Sequence, residues 1–186
     1  MQEHLKEIID GLRKGDTIIY PTDSIWGLGC DAQNEEAVQK VFNIKQRPEG
    51  LPLVILLFNE NQLFDYVEEV PEIAFQLIDA ADRPLTIVYE KGKNLAKNVM
   101  AADGSVAIRL CQDRACYDLL RRFNKPLVST SVNISGQPFA SQFDEISPEI
   151  LDQVDLIYNK DFPIKAGRPS QIIRINNDAT FKIIRE

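Results

Sequence analysis

Along this chain, stretches with helical spacing of apolar residues alternate with short extended ones. Leu5, Ile8, Ile9 and Leu12 recur on one helical face, and Gly15 stands where a helix is expected to turn off. Asp16 to Tyr20 reads as a strand that Pro21 ends. Asn34 followed by Glu35 and Glu36 predicts an N-cap with acids in the first turn, and Ala37, Val38, Val41 and Phe42 carry that helix to about Lys45. Leu53 to Phe58 is apolar throughout and of strand length. Pro71 is expected at the first position of a helix through Ile73, Ala74, Leu77 and Ile78.

Further along, Leu85 to Tyr89, Val106 to Leu110 and Leu127 to Ser131 read as strands. Asp113 is expected to cap a helix through Leu119 and Leu120 to Phe123, and Ser147-Pro148-Glu149 opens another. Leu156 to Tyr158, Gln171 to Ile175 and Phe181 to Ile184 close the chain as short strands. Helices and strands interleave without repeats or low-complexity stretches. The pattern predicts one α/β domain over residues 1–186, with a mixed sheet and flanking helices.

Composition changes this picture at two points. At 186 residues the chain can bury roughly 70% of its unfolded surface, so no metal or disulfide is needed to hold it. Cys30, Cys111 and Cys116 are odd in number and form no C-x-x-C, and they read as reduced, buried thiols. The single histidine, His4, all but excludes Ser-His-Asp triads, Cys-His dyads and multi-histidine zinc sites. Chemistry must then run on Lys, Arg, carboxylates, hydroxyls, backbone amides or the substrate's own groups. The longest apolar run, Leu53 to Phe58, is far too short to span a bilayer, and no targeting segment is visible. A cytoplasmic location is expected, with no membrane partner.

Charge sharpens the reading. With 21 basic and 28 acidic residues the net charge is −7, which disfavours sequence-independent nucleic-acid binding. Yet the candidate chemistry suits anions. Pro21 to Asp31 (PTDSIWGLGCD) leaves a strand carrying hydroxyls and two glycines, Gly27 and Gly29, that permit close backbone approach; its bland reading is a tight strand-to-helix connection with Trp26 in the core. Lys45 and Arg47 end a helix, where dipole complement is the bland explanation. Ser129, Ser131 and Asn133 share one face where a strand becomes a loop, the usual ligand position in open α/β sheets. Arg109 caps an apolar strand, and Ala166 to Ser170 forms a basic loop with a terminal hydroxyl. Salt screens the global field beyond ~8 Å, so a local basic pocket decides; a nucleotide triphosphate and a small carboxylate fit this inventory.

These residues carry a resemblance. Pro21 to Gly29 is similar to the P-T-[ED]-[TS]-x-[YF]-G-L-G opening of the YrdC-type threonylcarbamoyl-AMP synthase family. Lys45-Gln46-Arg47-Pro48 with Pro52-Leu53 resembles its K-x-R-P…P-L segment, and Val106 to Arg109 its V-A-[VI]-R strand. Pro126 to Gly136 (PLVSTSVNISG) resembles its P-[LI]-x-S-T-S-A-N-x-S-G, and Pro169 to Ile173 its P-S-T-I-[VI]. The resemblance implies a YrdC-like domain with a twisted mixed open sheet. It also implies an enzyme joining L-threonine, bicarbonate (or CO2) and ATP into threonylcarbamoyl-AMP and pyrophosphate. That product would serve a separate tRNA threonylcarbamoyl transferase machinery making N6-threonylcarbamoyladenosine.

The resemblance further places Lys45, Arg47, Ser131 and Asn133 around the ATP phosphates and Mg2+, with Asn133 nearest the metal. It assigns Ser105 and Arg185 to ATP, and Ser24, Arg109, Ser129 and Ser170 to threonine, with Arg109 on its carboxylate. Three places depart from the family pattern: Asp82-Arg83-Pro84 stands for Pro-Gly-Pro, Leu51 for an asparagine and Leu56 for a histidine. The alternative is a non-catalytic double-stranded RNA-binding or ribosome-maturation module of the same fold, using Arg114, Arg121, Arg122 and Lys125 for weak RNA binding. A YciO-like branch acting on another substrate is the third reading.

Overall fold

The structure, a computed structural model, describes residues 2–22, 25–48, 51–111, 114–164 and 170–186. Helix α1 (Gln2–Lys14) is followed by β1 (Ile18–Pro21), β2 (Trp26–Gly29), α2 (Glu35–Ile44) and β3 (Val54–Leu57). Next come α3 (Leu63–Tyr66), α4 (Ile73–Ala80), β4 (Leu85–Tyr89), β5 (Val106–Leu110), α5 (Arg114–Phe123) and β6 (Leu127–Ser131). The chain ends with α6 (Pro148–Leu151), β7 (Leu156–Ile157), β8 (Gln171–Ile175) and β9 (Phe181–Arg185).

The strands form one mixed nine-stranded sheet in the order β7-β1-β2-β6-β3-β5-β4-β8-β9. Three neighbouring pairs are parallel (β1 with β7, β3 with β5, β4 with β8) and the rest are antiparallel. Among the described residues no helix is long and apolar enough to cross a membrane.

The two sheet faces have different fates, because side chains alternate along each strand. One face carries Ile19, Trp26, Leu28, Ile55, Leu57, Ile87, Ile108, Val128 and Ile173. It is sealed by Ala37, Val38, Val41 and Phe42 of α2 and by Ala74 of α4. The opposite face is apolar at Ile18, Tyr20, Leu56 and Leu127, where α1 supplies Leu5, Ile8, Ile9 and Leu12 and α5 supplies Cys116, Leu119, Leu120 and Phe123. Beyond that apolar end the same face turns polar, at Ser129, Ser131, Arg109 and Thr86. The pairings Leu56 with Arg109 and Thr86 with Arg109 place these on the α1/α5 side of the sheet.

Most expected elements appear within a residue or two. Asn34 caps α2, its side chain accepting from the Ala37 N–H, and Gly15 takes φ 92 just past α1. All three cysteines are buried, and none is in a disulfide. Three expectations need correction. The first strand begins at Ile18 rather than Asp16, and Pro21, where it ends, is still paired, with Trp26. The stretch after Pro21 is not a plain connection to a helix, since Trp26–Gly29 is a strand of its own, hairpinned to β1. Pro71 is not the first residue of α4; its carbonyl accepts from the Ala74 N–H just ahead of the helix. The expected cap Asp113 lies outside the described residues.

Candidate active site

Helix α2 ends in a turn that fixes two cations. The Arg47 N–H donates to the Phe42 carbonyl and the Gln46 N–H to the Asn43 carbonyl, both at 3.0 Å. That is a Schellman closure with Gln46 in the left-handed position, φ 48. A side chain there costs roughly 1–2 kcal/mol relative to glycine. Gln46 also donates to Glu149 Oε1 of α6 at 2.9 Å.

Lys45, the residue before this turn, is not a solvated dipole complement. It is only 2% exposed, and its ammonium donates to the Ser131 carbonyl at 2.5 Å, the Asn133 carbonyl at 2.8 Å and Asn133 Oδ1 at 3.2 Å. All three ammonium protons thus face oxygens of the β6 turn. Burial, and then the charge of Arg47, pull its pKa down to about 8.

The β6 turn is stitched from its own side as well. The Ser131 hydroxyl donates to Asn133 Oδ1 at 2.5 Å, and Asn133 Nδ2 donates to the carbonyls of Ile134 at 3.1 Å and Gln137 at 2.6 Å. The Ser135 N–H closes back onto the Lys45 carbonyl at 2.9 Å. Lys45, Arg47, Ser131 and Asn133 are therefore brought to one place, although 86 residues separate Lys45 from Ser131. Arg47 donates from Nη2 to the Pro52 carbonyl at 3.1 Å, while its Nε and the Ser135 hydroxyl are buried polar atoms with no partner among the described residues. Burial lowers the Arg47 pKa. Buried polar atoms of this kind normally have a partner, and an anion would supply one to the guanidinium.

The expected threonine residues occupy the polar part of the same sheet face. Arg109 is 7% exposed, and the neighbouring β4 presents Thr86, which is fully buried. Thr86 shares a 2.8 Å hydrogen bond with the Ser170 hydroxyl. Arg185 of β9 donates to the Ser170 carbonyl from Nε at 3.1 Å and from Nη2 at 2.7 Å, and its Nη2 also reaches the Ser170 hydroxyl at 3.3 Å. Arg109, Ser170 and Arg185 are thus linked through β5-β4-β8-β9. Ser129 lies on β6 beside Val128, whose carbonyl accepts from the buried Tyr20 hydroxyl at 3.1 Å, and burial raises the Tyr20 pKa.

Ser105 is placed differently. It is buried just before β5, and its N–H donates at 2.9 Å to the Asp103 carboxylate, which also pairs with Arg174 at 3.2 Å. These contacts hold Asp103 down to about pKa 2. Ser24, Arg168 and the Arg114 side chain lie outside the described residues. Of the cations expected for RNA, Lys125 is committed to the buried Asp31 carboxylate at 2.7 Å, while Arg121 and Arg122 are exposed. A hollow of about 440 Å³ lies between residues 141–144 and 160–164 over Trp26; it belongs to the other side of the sheet and contains none of these groups.

Two members of the site went unread in the sequence. Thr86 is a lone hydroxyl in Leu-Thr-Ile-Val-Tyr, and Tyr20 looks like an ordinary apolar strand residue. Tyr20 also explains the two glycines. A Cβ on Gly27 would sit 3.0 Å from Tyr20 Cζ, and one on Gly29 would sit 3.0 Å from Tyr20 Cε1 and 2.0 Å from the Val128 carbonyl oxygen. The glycines clear a path for the protein's own tyrosine ring. Chemically, the arrangement offers an anion cradle at the α2/β6 junction beside a guanidinium framed by hydroxyls.

Residues 10–186 match the Sua5/YciO/YrdC family model, whose description reads "Telomere recombination". A threonylcarbamoyl-AMP synthase of Vibrio cholerae is 34% identical over 158 residues, covering 83% of this chain and 84% of the relative. The crystal structure of P. abyssi Sua5 complexed with L-threonine superposes with a TM-score of 0.85 at 26% identity, covering 92% of this chain and 50% of that one. This chain therefore spans about half the length of that protein. E. coli YciO superposes with a TM-score of 0.82 at 27% identity, covering 100% of this chain and 90% of that one.

Proposed function

The chain belongs to the Sua5/YciO/YrdC family, and from that membership we infer that it is a threonylcarbamoyl-AMP synthase, an ATP-dependent enzyme of the nucleotidyltransferase type. The observation that carries this is the convergence of Lys45 and Arg47 on the Ser131–Asn133 turn, within a sheet face that also presents Arg109, Ser129 and Ser170. ATP and L-threonine are the substrates, with bicarbonate as the one-carbon source. The product supplies a tRNA threonylcarbamoyl transferase in the cytoplasm.

The division of labour follows from the two halves of the site. Arg47 takes the triphosphate through its unpartnered Nε, while Lys45 supplies positive charge from beneath the turn without leaving its oxygen cage. Arg109 holds the threonine carboxylate, and Ser129 and Ser170 orient its remaining polar groups. Arg185 holds Ser170 in place from β9. The threonine amine adds to CO2 and loses a proton. The carbamate oxygen so formed attacks the α-phosphorus, and pyrophosphate departs. No side-chain base is required beyond what solvent and the phosphates provide, which suits a chain with one remote histidine. Positioning and charge neutralisation carry the rate.

Magnesium is proposed to arrive on the triphosphate, neutralising its charge there. Among the described residues no cluster of three acids, histidines or cysteines could hold a resident ion. Asn133 Oδ1 already accepts from Lys45 and Ser131, which accounts for both of its lone pairs. The donor set therefore fits a metal ligated mainly by phosphate and water.

The test is pyrophosphate release from ATP, with each amino acid supplied in turn alongside bicarbonate and magnesium. Release only with threonine is expected, falling at least about 100-fold in Arg47→Ala, as when one transition-state donor is lost. Release with another amino acid, or none, overturns the assignment.

A further inference from the structure

The turn that follows β6 spends nearly all of its side-chain donors on itself. Lys45 directs its three ammonium protons at the Ser131 carbonyl, the Asn133 carbonyl and Asn133 Oδ1. Asn133 Nδ2 gives its two protons to the carbonyls of Ile134 and Gln137, which fixes the end of that amide that is oxygen. Oδ1 must then accept, and it takes the single Ser131 hydroxyl proton at 2.5 Å. Of the four residues expected around the triphosphate, Arg47 alone keeps an uncommitted donor, its buried Nε.

One more donor stands at this junction. The Ser135 hydroxyl is a buried polar atom with no partner among the described residues, although Ser135 as a whole is only half-buried. Its backbone is pinned, the N–H donating at 2.9 Å to the carbonyl of Lys45, two residues before Arg47. Next to it Gly136 takes φ 86, and a Cβ on Gly136 would meet nothing within 4 Å, so the turn is open on that side. A serine hydroxyl has three staggered positions, so it can leave its partnerless one for the open side. Keeping a buried hydroxyl unpaired costs about 1–3 kcal/mol, which a bond to a phosphate oxygen would offset.

We propose that Ser135 is a further ligand-binding residue of the cradle, donating to a phosphate oxygen of the nucleotide the proton that Ser131 has already spent. The identity of the ligand rests on the synthase reading above. Ser131 then serves the cradle by holding Asn133 over Lys45.

Ser135→Ala separates this role from a structural one. Removing a hydroxyl that has no partner should leave the urea midpoint of the free protein at or above the wild-type value. Ser131→Ala, which takes a bond from Asn133 Oδ1, should lower it. With magnesium present, Ser135→Ala is expected to raise the Kd and KM for ATP about tenfold, the scale of one hydrogen bond to a charged group, and to leave the KM for threonine unchanged.

Wild-type ATP affinity in Ser135→Ala overturns the proposal, as does an equal rise in both substrates' KM. A fall in its urea midpoint matching that of Ser131→Ala also overturns it, because the hydroxyl then has a structural partner. Wild-type protein that binds no ATP removes the synthase reading, whereas ATP binding that Ser135→Ala leaves intact removes only this proposal.

Discussion

Raising the pH from about 7 to about 9 should remove the charge from Lys45 and with it most of the nucleotide affinity. With a pKa of about 8, the ammonium is roughly nine-tenths present at the lower pH and one-tenth at the higher, so kcat/KM for ATP falls about tenfold. Bound triphosphate favours the charged form, so the midpoint in kcat should lie above that in kcat/KM.

Stability moves in the opposite direction. Below pH 8 the amine is protonated in both states, and the folded protein bears the whole cost of a buried charge. Between about 8 and 10.5 the unfolded chain holds more protons than the folded one, so stability rises with pH. The full drop corresponds to about 3 kcal/mol for a side chain only 2% exposed. Tyr20 and Cys30, whose pKa values burial pushes up, work against this rise. The control is Lys45→Arg, whose guanidinium cannot titrate in this window. Steady-state kinetics and urea melts of both proteins across the range would decide. A flat wild-type kcat/KM, or the same fall in Lys45→Arg, refutes the reasoning.

Other perturbations have simpler outcomes. Thr86→Val deletes the hydroxyl behind Ser170 without changing shape; a loss of about 1 kcal/mol in urea unfolding is expected, together with a higher threonine KM. Gly29→Ala drives a methyl to 2.0 Å from the Val128 carbonyl oxygen, and because backbone must move, the cost should reach roughly 3 kcal/mol, the upper end for overpacking, as read by thermal melting. Lys125→Met strands the buried Asp31 carboxylate; with the lysine itself 40% exposed, about 2 kcal/mol is expected in chemical denaturation, below the ~3–5 kcal/mol of a fully buried pair.

Much of the sheet could be read from the chain because its strands are short apolar runs bounded by turn residues. The helices announced themselves through Asn34, Gly15 and Pro148. Strand β2 escaped because Trp-Gly-Leu-Gly has low strand propensity and no alternation; what makes it a strand is pairing on both sides, with β1 and β6. The face shared by Ser129 and Ser131 was legible from the two-residue period alone. The destination of the Lys45 side chain was not. A lysine at a helix end usually reaches water, and only the long-range approach of β6 offers it three oxygens instead. Tyr20 and Thr86 were hidden for a related reason, since their roles depend on neighbours across the sheet rather than along the chain.

The lysine cage also bears on how the protein is made. Its halves lie on either side of three intervening strands in sequence, so Lys45 has no acceptors until β6 has been synthesised and seated. During synthesis the end of α2 would carry an unsatisfied cation, and the cradle proposed for the nucleotide cannot exist in any partial fold that lacks β6. Nucleotide binding is therefore a late event on the folding route, and a ligand such as ATP would rescue only chains that have already closed this loop. A pulse-labelled nascent chain released before Ser131 should show no nucleotide protection from proteolysis, while one extended past Gln137 should acquire it in a single step.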